Sequence, residues 1–162
     1  QANKPEEPTM PSFVVFDAVF RKKFPFGPIP PGYSSPDGRI SRKVWEVLVK
    51  ADSIEELAKR IGVDPQGLVE TVRKNNEYAK TGRDLEFKRG ESYYDRYYGD
   101  SKTSPNPCIA PIAEGPFYAI PIHPGDIGTK GGVLTDVNGQ AVDKSGAQIP
   151  GLYVIGNSAA VG

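Results

Sequence analysis

The stretch GPFYAIPIHPGDIGTKGG, Gly115 to Gly132, decides how the chain is read. Phe117 to Ile122 is an aromatic and apolar strand candidate that runs into a turn-rich segment with glycines at 125, 128, 131 and 132. Glycine has no Cβ, so its backbone takes positive φ and lets a flat or bulky group approach closely. Thr129 and Lys130 stand between glycines, where their N–H groups and side chains are presented rather than buried. A second such place is LYVIGN, Leu152 to Asn157, where an apolar strand candidate ends in Gly156-Asn157. The carboxyl end of a strand is a usual ligand position in open sheets. The plain alternative for both places is a pair of tight turns in an ordinary sheet.

Around these places, 162 residues suffice for one domain of ordinary size. Twenty basic and twenty acidic residues cancel, so no global field recruits nucleic acid or an anionic membrane. The single cysteine, Cys108, excludes an internal disulfide framework and fits a reducing, cytoplasmic compartment. No apolar run approaches a membrane span, no signal-peptide pattern is present and no metal-ligand cluster is expected. The start without Met and the stop at Ala160-Val161-Gly162 read as a piece of a longer protein.

Residues 1 to 11, with three prolines, read as a disordered lead. Ser12 to Asp17, SFVVFD, reads as a buried strand, followed by a helical turn to Lys23. Five prolines between Phe24 and Gly38 exclude regular structure there; Phe24, Phe26, Ile29 and Tyr33 suggest a loop that covers something. Val44 to Val49 is ambiguous between strand and helix. Two helices follow. Ser53 and Glu56 form a capping box, and Gly62 stands where a C-terminus wants a left-handed residue. Asp64-Pro65 restarts a helix that runs to Gly82.

Arg83 to Asp100 carries tyrosines at 93, 94, 97 and 98 and is expected to be a loop or broken helix whose tyrosines pack under the domain. Stacking on nucleic-acid bases would also use such rings, but the scattered acids Asp84, Glu86, Glu91, Asp95 and Asp100 argue against it. Ser104 to Pro111, with prolines at 105, 107 and 111, is the best boundary candidate. Beyond it, Asn138-Gly139 signals a hairpin turn with Val142 on the return strand, and a second turn at Lys144 to Gly146 leads to Ile149.

These stretches together carry a resemblance. KADSIEELAKRIGVDPQGLVETVRKNNEYAKTG, Lys50 to Gly82, resembles the cap domain of the fumarate reductase and succinate dehydrogenase flavoprotein superfamily. GPFYAIPIHPGDIGTKGGVLTD, Gly115 to Asp136, and IPGLYVIGNSAAVG, Ile149 to Gly162, resemble its return into the flavin-binding domain. Within the superfamily, SFVVFDAVFRKKFPFGPIPPG, Ser12 to Gly32, and RGESYYDRYYGD, Arg89 to Asp100, resemble the 3-ketosteroid dehydrogenases. The resemblance implies an α+β fold: a small, mostly antiparallel sheet with helices on one face, and strands returning to an absent FAD domain. It divides the chain into the lead (1–11), a cap or substrate domain (12–112) and a return segment of the FAD-binding domain (113–162).

The same resemblance implies FAD as cofactor, with Gly128, Thr129, Lys130, Gly131 and Gly132 toward the isoalloxazine and Gly156 and Asn157 toward the ribityl–phosphate part. It implies that a tyrosine base, placed just before this chain, takes a proton next to the C3 ketone of a steroid while a hydride passes to flavin N5. Tyr118 is either core or a group facing the substrate, the one weak catalytic candidate within these residues. The chain has no G-x-G-x-x-G fingerprint, so the isolated piece is expected to be inactive, to depend on the missing FAD domain, and to be open to self-association. The alternative within the superfamily is dicarboxylate chemistry, which needs cations. No Arg follows Arg96, and Gly128 stands where the dicarboxylate enzymes place a His before the Thr. His123 reads as a strand-end surface residue. A stand-alone, non-catalytic cap-like binding module is the alternative from another class.

Overall fold

The computed structural model describes residues 10–125, 128 and 131–160. They form two compact units that divide between Ile122 and His123.

The first unit is built on a three-stranded antiparallel sheet of β1 (Ser12–Phe16), β2 (Val49–Ala51) and β3 (Phe117–Ile122), in the order β1-β3-β2. Ser12 pairs with Ile122 and Phe16 with Tyr118, while Ala51 pairs with Phe117. Alternation along the strands sends side chains to two faces. Phe16, Tyr118 and Ile120 pack with Leu48 and Ile29 on one face. Ala51, Phe117 and Ala119 pack with Leu57 on the other, with Phe13 and Val15 beside them.

The helices follow their local signals. α1 (Ala18–Lys23) is capped by Asp17, whose carboxylate accepts from Phe20 N at 2.9 Å. That buried carboxylate also accepts from Ala113 N and Glu114 N, which ties the far end of the unit to α1. The ambiguous stretch resolves into both of its alternatives: α2 (Arg42–Trp45) and then β2. α3 (Ile54–Ile61) begins with Ser53 Oγ accepting from Glu56 N, and Glu56 accepts back from Asp52 N. Gly62 ends it in the left-handed region, at φ +75°. α4 (Pro65–Thr81) starts on the Asp64 cap with Pro65 in its first turn and ends at Gly82.

Helices on one face describe only half of the unit. α3 lies on the sheet with α4 packed against it. The opposite face is covered by α1, α2 and the proline-rich segment, whose Phe26 and Ile29 enter the core. The expected division at 112/113 also differs from that of the compact units. β3 is the central strand of the first sheet, hydrogen-bonded on both edges, so it stays with the residues before it. Nor is the Ser104 to Pro111 stretch a boundary between separate bodies. Buried Asn106 donates to Gly82 O and Arg89 O, and Asn75 of α4 donates to Ala110 O.

The tyrosine-rich stretch forms α5 (Tyr93–Tyr98), capped by Ser92. Its tyrosines are exposed and touch one another edge-on rather than packing under the domain. Four aromatic residues in six leave no polar face to turn outward, so some rings stay in solvent.

The second unit is an antiparallel ribbon of β4 (Gln140–Val142) and β5 (Gln148–Tyr153). Asp136 accepts from Asn138 N and Gln140 N, and Gly139, at φ +76°, makes the turn that Asn138-Gly139 signals. Asp143 shapes the second turn by accepting from Ser145 N and Ala147 N. Ala141 and Ala159 are buried, whereas every residue of β5 is exposed. Among the described residues no helix is long and apolar enough to cross a membrane.

Candidate functional site

The two glycine-bearing loops adjoin in the second unit. Val133 bridges Ala159 in parallel; Val133 N donates to Ser158 O at 3.0 Å and Ala160 N to Val133 O at 2.9 Å. Close approach at this seam depends on absent side chains. A Cβ on Gly132 would collide with the Ser158 carbonyl and the Ala159 backbone. A Cβ on Gly128 would lie 2.6 Å from Asn157 Nδ2 and 2.8 Å from its Cγ. Gly128 and Asn157, named separately in the sequence, are therefore neighbours.

Gly131 and Gly156 are different. Both have positive φ, +131° and +63°, and a Cβ built on either meets no described atom within 4 Å. Their backbones face open space in a conformation that favours glycine. That arrangement fits a flat ring system laid against backbone, with Gly131 and Gly156 as its seats and Gly128 and Gly132 as the residues that let the loops close. Thr129 and Lys130 lie outside the described residues. Gly156 to Ser158 forms one 3-10 turn, with Ala159 N donating to Gly156 O.

Tyr118 sits in a polar cluster that the sequence reading missed. Its ring is 3 % exposed and stacks on Phe16 at 5.4 Å. Its hydroxyl donates to Asp37 Oδ2 at 2.7 Å, and Lys50 Nζ lies 2.7 Å from the same oxygen. The Lys50 ammonium also stands 5.6 Å from the centre of the Tyr118 ring. Arg21 Nε is 3.3 Å from Asp37 Oδ1. Burial opposes ionisation of Asp37, but hydrogen bonds from Lys50 and Tyr118 and the charges of Lys50 and Arg21 hold its carboxyl below the usual range. Burial, followed by the hydrogen bond to Asp37 and its charge, pushes the Tyr118 phenol above its ordinary value. A phenol so held is a donor, not a base. No sequence signal joins Arg21, Asp37, Lys50 and Tyr118, because they come from four separate segments.

Among the described residues no group of three or more His, Cys, Asp or Glu is placed to hold a metal ion. His123 opens the second unit and is exposed.

An antiparallel α+β unit followed by a ribbon with open glycine backbones defines a flavoprotein segment, and the comparisons agree. The sequence profile described as FAD binding domain matches residues 2–162, so the chain belongs to that family, whose cofactor is FAD. It is 46% identical over 154 residues to a 3-oxosteroid 1-dehydrogenase of Comamonas testosteroni, covering 93% of this chain and 26% of that protein. It is 43% identical over 150 residues to the 3-oxosteroid 1-dehydrogenase of Mycolicibacterium smegmatis, covering 91% and 26%. The crystal structure of 3-ketosteroid delta1-dehydrogenase from Sterolibacterium denitrificans, in complex with 1,4-androstadiene-3,17-dione, is similar at a TM-score of 0.77 and 48% identity, over 94% of this chain and 27% of that one. The chain thus spans about a quarter of the length of the relatives it matches.

Proposed function

We propose that these residues belong to an FAD-dependent dehydrogenase that introduces a double bond at the 1,2-position of 3-ketosteroids. The observation that carries this reading is 43–46% identity to 3-oxosteroid 1-dehydrogenases over more than nine-tenths of the chain. In it the first unit serves as cap or substrate domain, and the second, with its exposed β5, as a return segment of the FAD-binding domain.

FAD, when bound, supplies the hydride acceptor. This chain's own contribution is positional. Gly131 and Gly156 offer backbone without side chains to the ring system, and Gly128 and Gly132 let their loops close. Asn157, beside Gly128, presents a carboxamide toward the ribityl–phosphate part. Thr129 and Lys130 remain proposed contacts. Tyr118 is assigned to support, since its hydroxyl is engaged by Asp37. Proton removal next to the C3 ketone falls to a base outside these residues. The single cysteine fits a cytoplasmic protein. The exposed apolar side chains of the second unit, such as Ile155 at 80 % and Val137 at 101 %, fit burial against the rest of the FAD domain or, in the isolated piece, self-association.

Dicarboxylate reduction fits less well, because no Arg follows Arg96 to pair with a second carboxylate near the glycine loops. The test is steady-state turnover of 4-androstene-3,17-dione by the full-length protein with an artificial electron acceptor, beside fumarate reduction by the reduced protein. Steroid turnover is expected. Robust fumarate reduction without steroid turnover would overturn the assignment.

A further inference from the structure

We propose that residues 24–36 form a fixed wall bordering the substrate cavity, and that Arg21 and Asp37 are the positioning residues that hold it. Long irregular segments in compact domains commonly serve function, and they come as hinged lids or as preorganised surfaces. Here the bonds run one way. Arg21 is 4 % exposed, and its guanidinium reaches across the segment, donating from Nη1 to Pro30 O at 2.8 Å and from Nη2 to Ser35 O at 2.7 Å. Its Nε makes an ion pair with Asp37 without the alignment of a hydrogen bond.

Three further contacts close the segment onto the unit. Gly32 N donates to Arg21 O and Tyr33 N to Lys22 O. A Cβ on Gly32 would stand 3.0 Å from Arg21 O and 3.1 Å from Lys22 Cα, so the backbones meet at a distance that suits glycine. Phe26 and Ile29 form a bridge, and Ile29, 2 % exposed, is set into the core beside Phe16 and Tyr118. At the end of the segment, Asp37 is held by Tyr118 and Lys50.

A segment pinned at its start by Phe26 and Ile29, in its middle by Arg21 and at its end by Asp37 has no free hinge. What it presents outward is fixed, and the exposed ring of Tyr33 stands on backbone tied to α1. A preorganised wall lowers the ordering cost of binding a rigid apolar ligand. The nature of that ligand, a 3-ketosteroid, rests on the reading above; the lock itself does not.

The experiment uses the full-length protein with Asp37→Asn, and Arg21→Lys as second variant, since lysine keeps the charge but not the fork. Hydrogen exchange followed by mass spectrometry reads the Gly32 and Tyr33 amides, with α4 as internal control. Exchange at those amides is expected to be slow in the wild type and about tenfold faster in both variants, with α4 unchanged. KM for 4-androstene-3,17-dione is expected to rise about three- to tenfold with kcat within about twofold. Fast exchange in the wild type, or no change in Asp37→Asn, overturns the lock. Faster exchange with KM unchanged overturns the wall. A wild-type protein that turns over no 3-ketosteroid removes the steroid reading and the wall's place beside a steroid, while the exchange result still decides the lock.

Discussion

The Tyr118 hydroxyl donates to Asp37 Oδ2 at 2.7 Å, across 81 positions of sequence. This joins the central strand of the first sheet to the end of the proline-rich segment. It also settles what Tyr118 does within that unit: its one polar atom is committed to a carboxylate.

Tyr118→Phe is therefore expected to act on stability first. A hydrogen bond to a charged acceptor contributes about 1.5–3 kcal/mol. Asp37 keeps Lys50 and Arg21, which places the loss toward the lower end. Chemical denaturation of the full-length protein reads it, and turnover at saturating substrate should stay within a few-fold of wild type. A loss of about 10²-fold or more with unchanged stability would instead place the hydroxyl in the chemistry.

Gly131→Ala and Gly132→Ala separate the seat from the seam. At Gly132 a methyl group meets the Ser158 carbonyl, so the loops must move apart, at a cost of about 1–3 kcal/mol typical of overpacking. Melting temperature and flavin content should fall together. At Gly131 the methyl meets open space, and the backbone strain is about 1–3 kcal/mol. There flavin content, read from visible absorbance per protein, should fall by more than the shift in melting temperature accounts for.

Asp84 gives an acid dependence with a defined sign. Burial opposes its ionisation, but Arg89 and the Phe87 and Glu86 amides bring its pKa down to about 2. The folded value lies below the ordinary 3.8, so the stabilisation is present above that value and is lost as pH falls toward about 2. Asp84→Asn should be less stable than wild type at pH 7, and the gap should narrow between pH 4 and 2. A gap that stays constant across that window would count against the ion pair with Arg89.

Residues 1–162 expressed alone should not retain FAD. They carry the glycine seats but no G-x-G-x-x-G turn before a helix, where the pyrophosphate is usually held. Absorbance near 450 nm co-purifying in near-stoichiometric amount would contradict this.

Features that depend on near neighbours were legible in the chain. Ser53, Glu56, Gly62, Asp64, Pro65 and Gly82 place α3 and α4 because caps act within three or four residues. Asn138-Gly139 places its turn for the same reason, and five prolines keep residues 24–38 irregular. The glycines were legible as positions where side chains are unwelcome. Which of them face open space and which face another backbone was not, because Gly132 meets Ser158 only once the loops lie side by side.

Features that depend on distant residues emerged only on folding. β3 looks like the opening of the second unit when read along the chain, yet it pairs with β1 and β2 on either side. Strand pairing is a non-local choice, set by which edges meet. The tyrosines of α5 look like core by composition and are exposed, since burial depends on what packs against a helix. Asp37, in a proline-rich loop, gave no sign of partnering Tyr118, Lys50 and Arg21. Its role exists only because the sheet and the buried guanidinium bring charges from four segments within hydrogen-bonding or ion-pair distance.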